Sequence, residues 1–475
     1  MTALRAKIQK FSQERMMLIL GVYILCQPLL DILTALGVKA KHPVTAGVVV
    51  RALFVALCFL YAVFVSEFKG KRVCMIYTGA LVGYLALFMA HMLSVGGFSL
   101  CLANLTEVVK TFFAPFVAVF LYCVYRQYGF AVTSQAIGGA GAIYTSVIVI
   151  AFLTGTSNVS YGNSGNGFNG WFYAANETSC VIALTAPFAV YHCIKLLPAV
   201  TKKTWWKGVL AVWVLISVAV SANFIGTKIV FGLTLIYCAA AFVWLLVRCR
   251  RERSKARLIQ TVAAGLLCLL VVGLYFQSPI KDYIDHVYTE IMKEDSELRA
   301  VSQGKEIQEA SEGTWLRELL DENEAMDHLD RILSRRLFSA SPSVQVYTEG
   351  GIGAKLLGIG YRDTAAYGRS IEFMIEMDPP AVFIRHGVVG FVLYNVPYLA
   401  FIVYAVIQFF KRPGQRLSSL MYCTLLYCVL TGFAIAAVAG HALVSPAVSI
   451  FVLVIAMQFW AQTQEQNKLP KPKKA

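Results

Sequence analysis

Apolar residues run along this chain in blocks of about twenty, divided by short polar connections that are alternately rich and poor in lysine and arginine. At about 1.5 Å per residue, a helix of that length crosses a hydrocarbon core of roughly 30 Å. The pattern predicts spans at 16–36, 43–65, 73–94, 104–125, 130–153, 177–196, 205–222, 226–248, 257–276, 384–410, 417–440 and 443–462. The expected fold is all-α: a polytopic integral membrane protein of about twelve transmembrane helices. The first span follows a basic stretch, as a signal peptide would. It is too long for one and has no small-residue cleavage site, so it reads as an uncleaved anchor.

One segment breaks the pattern. Residues 277–383 carry twenty Asp and Glu against eleven Lys and Arg and hold no run long enough to cross a membrane. The chain therefore divides into spans one to nine over 1–276, a large loop over 277–383, and spans ten to twelve with a basic tail over 384–475. A connection this long is functional or folded in its own right. Two apolar stripes at helical spacing, Ile280 to Ile291 and Trp315 to Leu337, predict a small helical cap. A shorter connection, TSNVSYGNSGNGFNGWFYAANETS, is broken by glycine and asparagine and reads as a re-entrant or surface-bound turn.

Charge orients this scaffold. With the N-terminus inside, the inner segments hold twenty-five Lys and Arg, whereas the short outer connections hold only Lys39, Lys41 and Lys228. Because cytoplasmic loops retain positive charge, both termini are expected in the cytoplasm and the large loop outside the cell membrane. The net charge of +15 is thus a topology signal and a contact for anionic lipid headgroups, and implies no nucleic-acid partner.

Composition agrees: 58% of residues are hydrophobic and 15% charged. None of the twelve cysteines falls in the large loop, which argues against a secreted disulfide framework, and no CxxC spacing suggests a metal. No cofactor is implied. Internal repeats, common in carriers of twelve helices, are not visible, and the single large loop has no counterpart in the first half. That asymmetry favours an enzyme over the competing reading, a flippase or other transporter.

Ionisable residues at membrane depth are costly and point to function. Asp31, Arg51, His91, Glu107, Lys110, Glu177, Lys228, Arg385, His386 and His441 fall in or beside the spans, mostly near their outer ends. Arg51 with Asp31, and Glu107 with Lys110 three residues on, could equally be structural ion pairs. In the loop, DHLDRILSRRLF places Arg331 and Arg335 on one helical face. Guanidinium forks there suit a diphosphate, and a solvated helix with an Asp327–Arg331 bridge is the plainer alternative. Glu376 and Asp378 precede span ten, where a carboxylate could take a proton from a sugar hydroxyl; an acidic helix start is the competing reading. GGIGAKLLGIG lacks the ending of a phosphate loop and reads as turns around a short amphipathic segment.

Seven pieces occur in an order that resembles the bacterial O-antigen ligase/polymerase family in its Gram-positive form. They are QPLLDILT, GFNGWFYAANE, GTK, LSRRL, LLGIGY, EMDPPAVFIRHGVVG and AGHALVSP. The resemblance implies a fold like that of C-type membrane glycosyltransferases. It also implies metal-independent, inverting transfer of a glycan from an undecaprenyl-diphosphate-linked oligosaccharide to an acceptor glycan. Carried over by position, Lys228 of GTK stands where many relatives have a serine-arginine pair, and would contact the diphosphate with Arg331 or Arg335. Many relatives place a histidine eleven residues before the first glycine of the GxxG that opens span ten. Here that position is Glu376, so Glu376 or Asp378 would be the base. Asn176, Glu177, Asp31 and His441, within the matched pieces, would support the site, and polysaccharide-assembly proteins are conceivable partners.

Overall fold

A computed structural model describes residues 2–42, 45–129, 131–160, 167–282, 284–285, 336–363, 371–372 and 375–468. It is all-helical apart from a two-residue antiparallel ladder pairing Arg362 with Glu372 and Asp363 with Ile371. In chain order the main helices are α1 (Thr2–Leu25), α2 (Gln27–Lys39), α3 (Ala46–Leu60), α4 (Lys71–Tyr128), α5 (Ser134–Leu153), α6 (Ala175–Leu196), α7 (Trp205–Phe224), α8 (Lys228–Glu252) and α9 (Lys255–Tyr275). After the large loop come α10 (Arg336–Glu349), α11 (Ile352–Leu357), α12 (Asp378–Lys411), α13 (Pro413–Leu417), α14 (Leu420–Val438) and α15 (Pro446–Lys468).

Among the described residues, ten helices are long and apolar enough to cross a membrane. The bent pair α1–α2, with 42° between Gln13–Leu25 and Gln27–Lys39, adds an eleventh. Pro28 explains the bend: it has no N–H to offer the carbonyl of Ile24, so the ladder breaks there. The two spans expected at 73–94 and 104–125 are one element, α4, and a straight helix of its 58 residues would run to about 87 Å. It does not run straight. Gly97 has φ 69° and ψ −166°, a conformation essentially confined to glycine, and beyond it the chain returns. The Tyr84 and Phe112 rings lie 5.7 Å apart, and Val119 and Cys123 pack with Cys74 and Tyr77. α4 therefore supplies two passes, which brings the passes to the twelve expected.

A second reversal sits in α12. Gly387 has φ 62° and ψ −175°, and the rings of Phe383 and Phe391 are 5.5 Å apart, whereas eight residues of straight helix would separate them by about 12 Å. The short limb before Gly387 thus folds back along the long one. The segment after α11 holds the reversal: Ile359 N–H donates to the Ile384 carbonyl (3.2 Å) and Gly360 N–H to that of Arg385 (3.0 Å).

The core is a continuous cluster that draws on both limbs of α4, on α5 and α6, and on α14 and α15. Large side chains such as Leu53, Leu57, Leu269 and Phe410 remain more than half exposed, as a surface facing lipid requires. The described residues of the glycine-rich connection before α6 pack as a plug. Val159 bridges Phe168, Ser160 donates to the Ile225 carbonyl (2.6 Å), and Phe172 is buried against Tyr144 at 4.9 Å between ring centres. Below, the side of the bundle carrying this plug and the ends of segment 277–383 is called the loop face, and the opposite side the basic face.

Candidate functional site

A group of polar and ionisable side chains gathers at the loop face around a cavity of about 180 Å³. Thr34 of α2, Arg51 of α3, Lys110 of α4, Glu177 of α6 and Ser445 before α15 contribute to its wall. Two larger clefts elsewhere in the bundle are lined almost wholly by apolar residues.

Arg51 is buried, and its guanidinium fork is used in full view of the cavity. Nη2 lies 2.5 Å from Asp31 Oδ1, and Nε and Nη2 donate to Gln27 Oε1 at 3.3 and 3.0 Å. The Tyr144 hydroxyl donates to the other oxygen of Asp31. One carboxylate thereby ties α2, α3 and α5 together. A buried pair of this kind is costly to form and costlier to break, since removing one partner strands the other charge. The second ion pair is lighter: Lys110 and Glu107, three residues apart on α4 and each about a third exposed, meet at 2.7 Å. Both pairs read from the sequence are present.

Glu177 sits in the first turn of α6 and accepts from the Ser445 hydroxyl at 2.7 Å through Oε1. Ser445 ends the segment Gly440–Ser445, whose other end holds Asp378. There three successive N–H groups, those of His441 (2.6 Å), Ala442 (3.0 Å) and Leu443 (2.6 Å), donate to the Asp378 carboxylate, which is 1% exposed. Gly440 and His441 both have positive φ, 72° and 57°, which turns the three donors to one side. The fit is close: a Cβ on Gly440 would fall 1.4 Å from the Glu376 carbonyl oxygen.

The expected site residues accordingly divide. Asp31 and Glu177 belong to the cavity or to the shell of Arg51, and Asp378, His441 and the backbone of Glu376 are joined to it through the Gly440–Ser445 segment. Glu376 is half-buried, and Asn176 precedes Glu177 on the same first turn. Lys228 begins α8 on this face and is exposed; the neighbouring Thr227 hydroxyl donates to Ser179 of α6 at 2.7 Å, two residues beyond Glu177. Arg331 and Arg335 lie outside the described residues, as does most of the two apolar stripes expected in the loop.

A second polar cluster adjoins the first along α4. His386 is fully buried, with the Tyr361 hydroxyl 2.8 Å from Nε2 and the Tyr84 hydroxyl 3.2 Å from Nδ1. Tyr84 also donates to the His386 carbonyl (2.8 Å), and Tyr361 meets Thr111, the residue after Lys110. The Tyr361 N–H donates to Asn104 at 2.6 Å, and the Arg385 guanidinium lies 4.9 Å over the Tyr361 ring. Thr111 is a lone hydroxyl in an apolar run and gives no signal in the sequence, whereas Thr34, Tyr361 and Ser445 stand in the pieces QPLLDILT, LLGIGY and AGHALVSP without being singled out there. Arg51 and Lys110 could be picked out beforehand, through the cost of a charge at depth.

Chemically, the cavity offers carboxylate and ammonium groups and hydroxyls at close quarters, the donors and acceptors that recognise a sugar. Its own charges come to two cations and three carboxylates, counting Asp31 and Glu107 as partners. A multiply charged phosphate would therefore need further cations from the rim. The family profile described as O-antigen ligase like membrane protein matches residues 13–465. No curated protein matches the chain.

Proposed function

Since the chain belongs to the O-antigen ligase-like family of membrane proteins, which serves membrane polysaccharide ligation or polymerisation, we propose that it transfers a glycan from an undecaprenyl diphosphate carrier to an acceptor sugar at the loop face. On this reading the loop face is extracytoplasmic and the protein lies in the cell membrane. The observation that carries it is the cavity itself, with Glu177 and Lys110 in its wall and Lys228 at the start of α8 nearby.

The donor sugar leaves with a diphosphate, so the charge that grows on the departing oxygen needs cations held in place beforehand. Lys228 is the contact proposed from the described residues, and Arg331 or Arg335 the second. Lysine acts as a point charge and gives up the paired geometry an arginine would provide. The acceptor hydroxyl must lose a proton as it attacks. Glu177 lines the cavity and accepts from Ser445 through one oxygen. It is proposed as the base, with Glu376 as the alternative from the sequence register. Asp378 is given a positioning role through the Gly440–Ser445 segment. Attack on the face opposite the leaving diphosphate inverts the anomeric centre, and no metal enters the scheme.

The test is incubation of the reconstituted protein with an undecaprenyl diphosphate oligosaccharide, followed by sizing of the product. Lys228→Ala is expected to slow chain growth by roughly 10²-fold or more, the usual cost of losing a preorganised charge stabiliser. Glu177→Gln is expected to lose activity while Glu376→Gln keeps it; the reverse would move the base to Glu376. Movement of the lipid-linked sugar across the bilayer without a new glycosidic bond would overturn the enzyme reading in favour of a flippase.

A further inference from the structure

On the basic face, between the end of α8 and the short helix α13, lies an open pocket of about 720 Å³ that plays no part in the scheme above. Its upper wall is one lipid-side stripe of α8: Ala239, Ala240, Val243 and Val247, at helical spacing and all exposed. The two alanines leave a groove between bulkier neighbours. Ala239 stands thirteen residues before the end of α8, about 20 Å along the axis, well inside the hydrocarbon zone. The lower end is cationic. Arg248 and Arg251 occupy the last two turns, and Trp244 sits one turn inward, at the depth where tryptophan prefers the membrane interface.

These groups are held in place from below. Trp244 Nε1 donates to the Leu417 carbonyl at 2.9 Å, and Arg248 Nη2 to that of Ser418 at 2.8 Å, with its guanidinium 5.2 Å over the Trp244 ring. The floor is open, since a Cβ on Gly414 would meet nothing within 4 Å. The charges do not cancel. Glu252 is bridged by Arg257 at 2.7 Å and only loosely by Arg248 at 3.8 Å, and among the described residues Arg251 has no ion-pair or hydrogen-bond partner.

We propose that this pocket binds an anionic phospholipid, with its phosphate at Arg248 and Arg251 and an acyl chain along Ala239–Val247. A free phosphate would leave the apolar wall without an occupant, and an acidic peptide could not follow that wall into hydrocarbon. A zwitterionic lipid would leave the excess positive charge unmatched. Basic pockets between membrane helices on the positive face are where anionic headgroups are held. The lipid would brace α8 against α13, and so steady the far end of the helix that begins with Lys228.

Trp244 reports on the site directly. The full-length protein is reconstituted in vesicles of phosphatidylcholine, and either brominated phosphatidylglycerol or brominated phosphatidylcholine of the same chains is titrated in. The share of fluorescence due to Trp244 is obtained by difference from Trp244→Phe. Quenching of that share is expected at a roughly ten-fold lower fraction of the anionic lipid. The preference should vanish in the double variant Arg248→Gln, Arg251→Gln and persist in inorganic phosphate. Ala240→Phe, which fills the groove and spares the arginines, should weaken quenching by the anionic lipid. Equal quenching by the two lipids, competition by inorganic phosphate, or no effect of Ala240→Phe would each overturn the proposal. The headgroup comparison and Ala240→Phe decide the matter even where the double variant fails to fold.

Discussion

Asp378 accepts three consecutive backbone N–H groups, and each charge-assisted bond of this kind contributes about 1.5–3 kcal/mol when its partner cannot turn to water. The geometry is that of an anchor, with both oxygens occupied by the protein. Asp378→Ala would leave the N–H groups of His441, Ala442 and Leu443 without their acceptor. We expect a loss of roughly 3–5 kcal/mol, read as a lower thermal unfolding midpoint in detergent, with activity falling in step. Asp378→Asn should be nearly as damaging, because its NH₂ must face at least one N–H donor. A variant that melts like the parent yet cannot transfer sugar would instead give this carboxylate a chemical role. From sequence, Glu376 and Asp378 were equal candidates: spacing shows that a carboxylate stands before a helix, but not which backbone donors turn toward it. The Arg51–Asp31 and Glu107–Lys110 pairs were legible, since charges at depth have few affordable partners.

At the scale of elements, apolar block length located every pass, because a membrane demands it and nothing else in the chain imitates it. What block length does not encode is how the passes are joined. Gly97 and Gly387 each reverse a helix within a single residue, where the sequence suggested a loop between spans three and four and a plain start to span ten. The two glycines share a backbone conformation but not surroundings. A Cβ at Gly97 meets nothing within 4 Å, whereas one at Gly387 falls 2.5 Å from the backbone of Leu356. Gly97→Ala should therefore cost only the conformational strain, about 1–3 kcal/mol. Gly387→Ala adds a clash with backbone that is itself pinned by Ile359 and Gly360, and is expected to abolish folding or displace α11. Comparison of folded yield and melting point for the pair tests this. Equal losses would mean that the segment after α11 is free to move.

At the scale of the whole molecule, everything proposed for the cavity depends on which face meets the exterior, and the charge asymmetry makes a definite prediction. The connections on the basic face and the helix ends beside them carry Lys69, Lys202, Lys203, Arg250, Arg253, Lys255 and Arg412 among others, while the plug before α6 carries none among its described residues. If those cations are retained in the cytoplasm, as the rule for positive charge predicts, the loop face is expected outside. Tyr173→Cys, exposed in the plug, should react with a membrane-impermeant maleimide in intact cells, beyond the labelling of the unsubstituted chain. Lys203→Cys, exposed on the connection between α6 and α7, should react only after permeabilisation. The opposite pattern would put the cavity with Glu177 on the side where nucleotide sugars are made, and a polyprenyl-linked donor would lose its rationale. It would also move Arg248 and Arg251 to the outer leaflet. Because the proposed glycan site and the proposed lipid site lie on opposite faces of one bundle, a single labelling pair constrains both.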